Sequence, residues 1–224
     1  MLTRILRGAT VVTIAALLSS GLVHAAEPAN LSLCKQELTA YVKRGEYARQ
    51  IADVAQAANQ YLLARLSQHT QAGGKLAIVF DIDETMLTSL SEIQENDYGY
   101  LPKVWDQWVA EGQAPAILPV QAIYNTALHG KIDIFIITGR KDRDRPGTEK
   151  NLRQTGYEKW TAIIYRTSAT DPSLTNAAFK TAMRRRITEE GYTIVANIGD
   201  QTSDLTGGYA ERTFKLPNPF YLAR

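Results

Sequence analysis

The stretch that most constrains this chain is Ala77-Ile78-Val79-Phe80-Asp81-Ile82-Asp83-Glu84-Thr85-Met86-Leu87, an unbroken apolar run that stops at two carboxylates one isoleucine apart. Residues 76–80 are continuously apolar rather than alternating, the pattern of a strand buried on both faces. In an open α/β sheet, ligands bind just beyond the carboxyl ends of such strands. Residues two apart on an extended exit point the same way, so Asp81 and Asp83 can address one volume. Two carboxylates that close repel each other unless something neutralises them, and hard oxygen donors suit Mg²⁺. A DxD pair alone also fits an ordinary turn after a strand. The rest of the chain decides between the two.

Before this strand, residues 32–71 read as helical. Tyr47, Ile51, Val54, Ala58, Tyr61, Leu62 and Leu66 recur at steps of three and four, with a break at Arg44-Gly45-Glu46. After it, an insertion over about residues 89–118 is polar, aromatic and irregular, and Pro102, Pro115 and Pro119 punctuate it. Placed directly after a catalytic strand, it is positioned to cover the site as a cap. Taken singly, Tyr98, Tyr100, Trp105 and Trp108 serve the insertion's own small core. Together they offer a wall for an aromatic or sugar-bearing substrate.

Strands and helices then alternate. A helix at 120–129 closes at Gly130, and a strand at 132–137 ends in Thr138-Gly139-Arg140. A charged loop at 141–147 leads to a helix at 148–155 and a strand at 162–165. A helix at 176–190 follows, with Phe179, Met183 and Ile187 on its core face and Lys180 and Arg184 on the adjacent stripe. A strand at 193–198 ends in Gly199-Asp200-Gln201-Thr202-Ser203-Asp204, and 213–215 forms a short edge strand. This alternation implies a parallel α/β sheet with helices on both faces. Right-handed crossovers bring the carboxyl ends of its strands to one edge. Asp81 and Asp83, Thr138, and Asp200 and Asp204 therefore converge. With Lys180, they form an inventory suited to phosphoryl transfer through an enzyme carboxylate.

In this order, Asp-x-Asp-x-Thr, Ile-Thr-Gly-Arg, a lysine and Gly-Asp-x-x-x-Asp resemble the haloacid dehalogenase (HAD) superfamily. Asp-Ile-Asp-Glu-Thr, Gly-Asp-Gln-Thr-Ser-Asp-Leu and the tail Phe-Lys-Leu-Pro-Asn-Pro narrow the resemblance to secreted acid phosphatases of the class B/C type. Plant vegetative storage proteins share that tail. The resemblance runs from about Leu33 to the end. It implies a HAD-like Rossmannoid sheet with a small cap and an N-terminal helical extension. It also implies a Mg²⁺-dependent phosphomonoesterase that works through an aspartyl-phosphate. Asp81 would be the nucleophile and Asp83 the general acid and then base. Thr138, with the Gly139 turn, would hold phosphoryl oxygens, and Lys180 would neutralise charge between Asp81 and the phosphate. One divalent cation would be ligated by Asp81, the backbone carbonyl of Asp83, Asp200 and Asp204. Lys141, Lys150 and Lys159 also follow the Thr-Gly-Arg turn and remain open as the lysine of the site.

Residues 1–25 read as a secretory signal peptide. Arg4 and Arg7 precede an apolar run, and Val23-His24-Ala25 offers small residues for cleavage after Ala25. The whole chain carries 25 basic and 23 acidic residues, so cleavage after Ala25, which removes those two arginines and no acid, would leave 199 residues with zero net charge. The basic balance thus belongs to the leader, and neither a nucleic-acid polymer nor a membrane is an expected partner of the mature chain. Residues 26–224 fit one domain, exported to a periplasmic or extracellular compartment. Cys34 is the only cysteine, so no intrachain disulfide forms. A dehalogenase has no need of a second acid to protonate an alkoxide, so Asp83 favours a phosphatase acting on nucleotides or small organic phosphates. The alternative is a catalytically weak storage or binding protein on the same scaffold. Oligomeric state is not readable.

Overall fold

The computed structural model describes residues 27–68, 74–167, 169 and 173–223. The leader expected at 1–25 and its cleavage point lie outside these residues, as does the end of the helix expected to reach residue 71. Five parallel strands form one sheet: β1 (Lys75–Phe80), β2 (Asp133–Lys141), β3 (Ala162–Arg166), β4 (Tyr192–Gly199) and β5 (Arg212–Lys215). Their spatial order is β3-β2-β1-β4-β5, so the strand carrying the two aspartates lies at the centre and the expected edge strand at the edge. The chain is α/β, as the alternation implied.

Burial on both faces of β1 divides its side chains by parity. Leu76, Ile78 and Phe80 join a large cluster with Tyr47, Ile51 and Leu62, while Ala77 and Val79 join a smaller one with Phe179 and Ile187. Fully burying an Ile or Phe side chain is worth about 1.5–3 kcal/mol. The two faces therefore hold β1 far more firmly than any turn could. The large face is covered by α2 (Glu46–Ser67) and α5 (Leu118–His129), and the small face by α7 (Asn176–Glu189). Helix α1 (Leu31–Lys43) is capped by Asn30, whose side chain accepts from the N–H groups of Ser32 and Leu33. It is set off from α2 at Gly45, which takes φ 74°.

The insertion after β1 is more regular than its composition suggested. It forms α3 (Leu90–Glu95) and α4 (Pro102–Glu111), with Pro102 in the first turn of α4, where a missing N–H costs nothing. Its two ends are stitched together. Thr88 N–H donates to the Pro115 carbonyl, Ile117 N–H donates to the Met86 carbonyl, and Leu87 bridges to Ala116. The same first-turn tolerance of proline moves two other boundaries. α5 begins at Leu118, ahead of Pro119, rather than at residue 120.

Residues 141–147 were expected to be a loop. Instead, a short 3₁₀ turn (Asp142–Asp144) runs into α6 (Arg145–Gln154). Pro146 initiates this helix, and Gly147 lies inside it because the cap passes so close. A Cβ at Gly147 would overlap the Val109 carbonyl oxygen and come within 2.9 Å of Ala110 Cα, both in α4. Gly147→Ala is therefore expected to lower stability by about 1–3 kcal/mol through overpacking. A melting temperature equal to wild type would show that α4 can yield at this contact.

Candidate active site

The ends of β1, β2 and β4 lie side by side. Asp81 still belongs to the ladder, its N–H donating to the Ile198 carbonyl at 3.0 Å. Continuing the parity of Ala77 and Val79 turns its side chain toward α7. Thr175 caps that helix by accepting from Ala178 N–H, and Lys180 lies one turn in rather than at its start. Lys180 Nζ is 2.6 Å from both Asp81 Oδ1 and Asp204 Oδ1, with all three side chains buried. The other lysines of that region are not in the cluster, although Lys141 lines the same cleft.

Asp200 follows β4 and Asp204 lies in the single turn α8 (Thr202–Leu205). Asp204 Oδ2 accepts from Gln201 N–H at 2.8 Å. Gly199 is required by this fold-back, since a Cβ there would lie 2.5 Å from Asp204 Cβ. Arg184, fully buried one turn beyond Lys180, donates to the carbonyls of Asp204, Thr206 and Gly208, so α7 holds both the carboxylate and the loop behind it. Asp200 Oδ1 accepts from the Thr85 hydroxyl at 3.1 Å, and its Oδ2 accepts from the Gln201 and Asn218 amides.

Asp81, Asp200 and Asp204 each offer an oxygen within 4.8 Å of the others. Lys180 is the cation among them, so two negative charges are left over in a buried space. A divalent cation matches both that surplus and the all-oxygen donor set. Titration points the same way. Burial pushes the Asp81 carboxyl well up, and Lys180 opposes this while Asp204 and Asp200 reinforce it. Burial likewise pushes Lys180 down, but Asp81 and Asp204 prevail and hold it above the ordinary lysine value.

Asp83 is held separately. Its carboxylate receives a forked pair from Arg140, with Nε at 3.1–3.2 Å and Nη2 at 2.6 Å. Arg140 is itself buried, donates to the Thr148 hydroxyl at 3.0 Å and lies 5.7 Å from the centre of the Trp105 ring in the cap. The sequence reading quoted Arg140 within the Thr-Gly-Arg turn without giving it this partner. A forked guanidinium–carboxylate pair is the strong, geometrically defined form of such a contact. Thr138 is fully buried, its hydroxyl accepting from Arg140 N–H at 3.1 Å, and it does not line the cleft, whereas Gly139 does.

The cleft has a volume of about 550 Å³ and contains Asp81, Asp83, Lys180, Asp200 and Asp204. Tyr98, Tyr100 and Trp105 of the cap line it, while Trp108 packs toward the core and donates to the Ser89 hydroxyl. The segment from Phe220 to Ala223, which motif spacing could not have located, also lines the cleft. Glu84, with φ 49°, points inward and is fully buried. It accepts from Ser89 N–H and from the Tyr221 hydroxyl, both at 2.6 Å.

The chain matches the family model described as HAD superfamily, subfamily IIIB (acid phosphatase), over residues 7–224. Acid phosphatase 1 of Solanum lycopersicum is 34% identical over 192 residues, covering 84% of this chain and 74% of that protein. Vegetative storage protein 1 of Arabidopsis thaliana is 33% identical over 147 residues, covering 64% of this chain and 54% of that protein. Among solved structures, the class C acid phosphatase from Bacillus anthracis superposes with a TM-score of 0.68 at 26% identity, covering 84% of this chain and 86% of that one. The chain belongs to subfamily IIIB of the HAD superfamily, the acid phosphatases. It is a phosphomonoesterase.

Burial, with Asp83 adding to it, pushes the Glu84 carboxyl up to about 8 from an ordinary 4.5, despite its two hydrogen bonds. Between those values the folded chain binds a proton that the unfolded chain has released. This group's contribution is therefore full below pH 4.5 and is lost as pH rises toward about 8. In chelator, Glu84→Gln is expected to flatten the fall in melting temperature across that window. An unchanged slope would show that Glu84 is ionised throughout.

Proposed function

We propose that the mature chain is an exported, Mg²⁺-dependent acid phosphatase that hydrolyses nucleotides or other small organic phosphomonoesters through an aspartyl-phosphate on Asp81. The observation that carries this reading is the buried contact of Lys180 with Asp81 and Asp204, each at 2.6 Å, inside a three-carboxylate cluster at the mouth of the central strand. A lysine there favours the charged form of a carboxylate and holds it in place, as a nucleophile requires. Asp81, Asp200 and Asp204, with the Asp83 carbonyl, would hold the cation, which when bound supplies positive charge against the phosphoryl oxygens.

In the first half-reaction, Asp81 forms a bond to phosphorus as the bond to the ester oxygen breaks. Asp83 gives its proton to the departing alkoxide. In the second, Asp83 takes a proton from water, which attacks the aspartyl-phosphate and frees Asp81 and inorganic phosphate. Lys180 balances the growing charge, and the Gly139 turn, which lines the cleft, contributes backbone donors for phosphoryl oxygens. The need for a protonated Asp83 favours an acidic optimum. A cleft of about 550 Å³ walled by Tyr98, Tyr100 and Trp105 is large enough for a nucleoside monophosphate. Export rests on the leader-like residues 1–25.

The similarity to a vegetative storage protein supports a second reading, a storage role with little turnover. Hydrolysis of para-nitrophenyl phosphate separates the two. The first predicts activity that is highest at acid pH, lost in chelator and restored by Mg²⁺. Absence of turnover by the folded, Mg²⁺-supplemented protein at every pH would favour storage. If Arg140 holds Asp83 in its working position, Arg140→Ala lowers kcat by about 10²-fold, the low end of what a placed proton donor contributes. A kcat within about twofold of wild type would remove Arg140 from this role.

A further inference from the structure

After β5 the chain stays on the sheet edge. Leu216 N–H donates to the Gly199 carbonyl at 2.8 Å, and Leu216 is fully buried. The next residues are Pro217-Asn218-Pro219. The proline after Asn218 restricts that residue to extended backbone, so the side chain is presented from a stiff segment. Its amide is fixed at both ends. Oδ1 accepts from Phe220 N–H at 3.0 Å, which obliges Nδ2 to face the other way, and Nδ2 donates to Asp200 Oδ2 at 2.7 Å.

Gln201 donates to the same Asp200 oxygen at 2.8 Å and accepts from Ala223 N–H at 3.3 Å. Two amides thus occupy Oδ2. Among the described residues Oδ1 receives only the Thr85 hydroxyl and keeps a lone pair for a cation. The strap is also anchored away from the cluster. Phe220 packs edge-on against Tyr47 at 5.0 Å and stacks on Tyr98 at 6.1 Å.

We propose that Asn218 is a positioning residue for the cation site, holding the Asp200 carboxylate so that Oδ1 is presented to the metal. The chain end is then part of the metal-binding apparatus rather than a trailing segment. The inference rests on the reading of the carboxylate cluster as a divalent-cation site. Partners that orient a ligating carboxylate typically carry 10–100-fold in metal affinity.

The test measures Mg²⁺ binding to the purified protein by calorimetry, together with the melting temperature in chelator. It compares wild type with Asn218→Ala and Asn218→Ser. Serine can keep the turn by accepting from Phe220 N–H but is too short to reach Asp200. Both variants are expected to bind Mg²⁺ about tenfold more weakly, with metal-free melting temperatures within about 2 °C of wild type. Wild-type affinity in Asn218→Ser would overturn the proposal, as would weakened binding seen only alongside a lowered metal-free melting temperature. Failure of the wild type itself to bind Mg²⁺ would instead overturn the cation-site reading on which this one rests.

Discussion

A single ammonium group shared by two buried carboxylates is the contact on which the rest of the structure depends. Lys180 reaches Asp81 and Asp204 at 2.6 Å from α7. Leaving a buried charge without its partner costs about 3–5 kcal/mol, so the three residues must arrive together or not at all. That requirement explains much of the surrounding construction. The parity of β1 turns Asp81 toward α7, Thr175 fixes where α7 begins, Gly199 lets Asp204 fold back, and Arg184 ties α7 to the loop that carries Asp204.

The same contact leaves a charge imbalance that no other side chain among the described residues is bonded to neutralise. Arg140, a second buried cation beside the cluster, is committed to Asp83. The protein thus separates two carboxylate environments two residues apart on one strand exit. Asp81 faces an ammonium and two acids, while Asp83 faces a guanidinium that is steadied by Thr148 and adjoins the cap's Trp105. Environments this different are how neighbouring carboxylates come to serve different steps of one reaction. The cap, the chain end and the N-terminal helices meet at Phe220, Tyr98 and Tyr47, so the walls of the cleft are continuous with the core that supports them.

Most of the strands and helices were legible because they rest on local pattern. A continuous apolar run marked β1, largely apolar stretches marked β2 and β4, and each ended in the polar signature that the parallel topology then brought to one edge. Lys180 could be chosen over Lys141, Lys150 and Lys159 only from its place on a helix before the last core strand, and it is the lysine found at Asp81. What escaped were contacts between segments distant in sequence. Gly147 looked like a loop residue because the approach of α4 is invisible in the local text. Arg140 to Asp83 spans 57 residues, and Tyr221 to Glu84 spans 137. The tail Pro-Asn-Pro was visible as a motif, but nothing in it announced Asp200 as its partner. Proline at the first turn also misplaced the starts of α5 and α6, where it initiates rather than interrupts.

The central claim is that Asp81 carries the phosphoryl group. The most direct measurement is to quench the enzyme in acid during turnover of para-nitrophenyl phosphate and map the product by peptide mass spectrometry. The account predicts a phosphoryl adduct on the peptide containing Asp81, located on that residue, and none in Asp81→Asn. Rapid turnover with no adduct at Asp81, or an adduct on another residue, would contradict it.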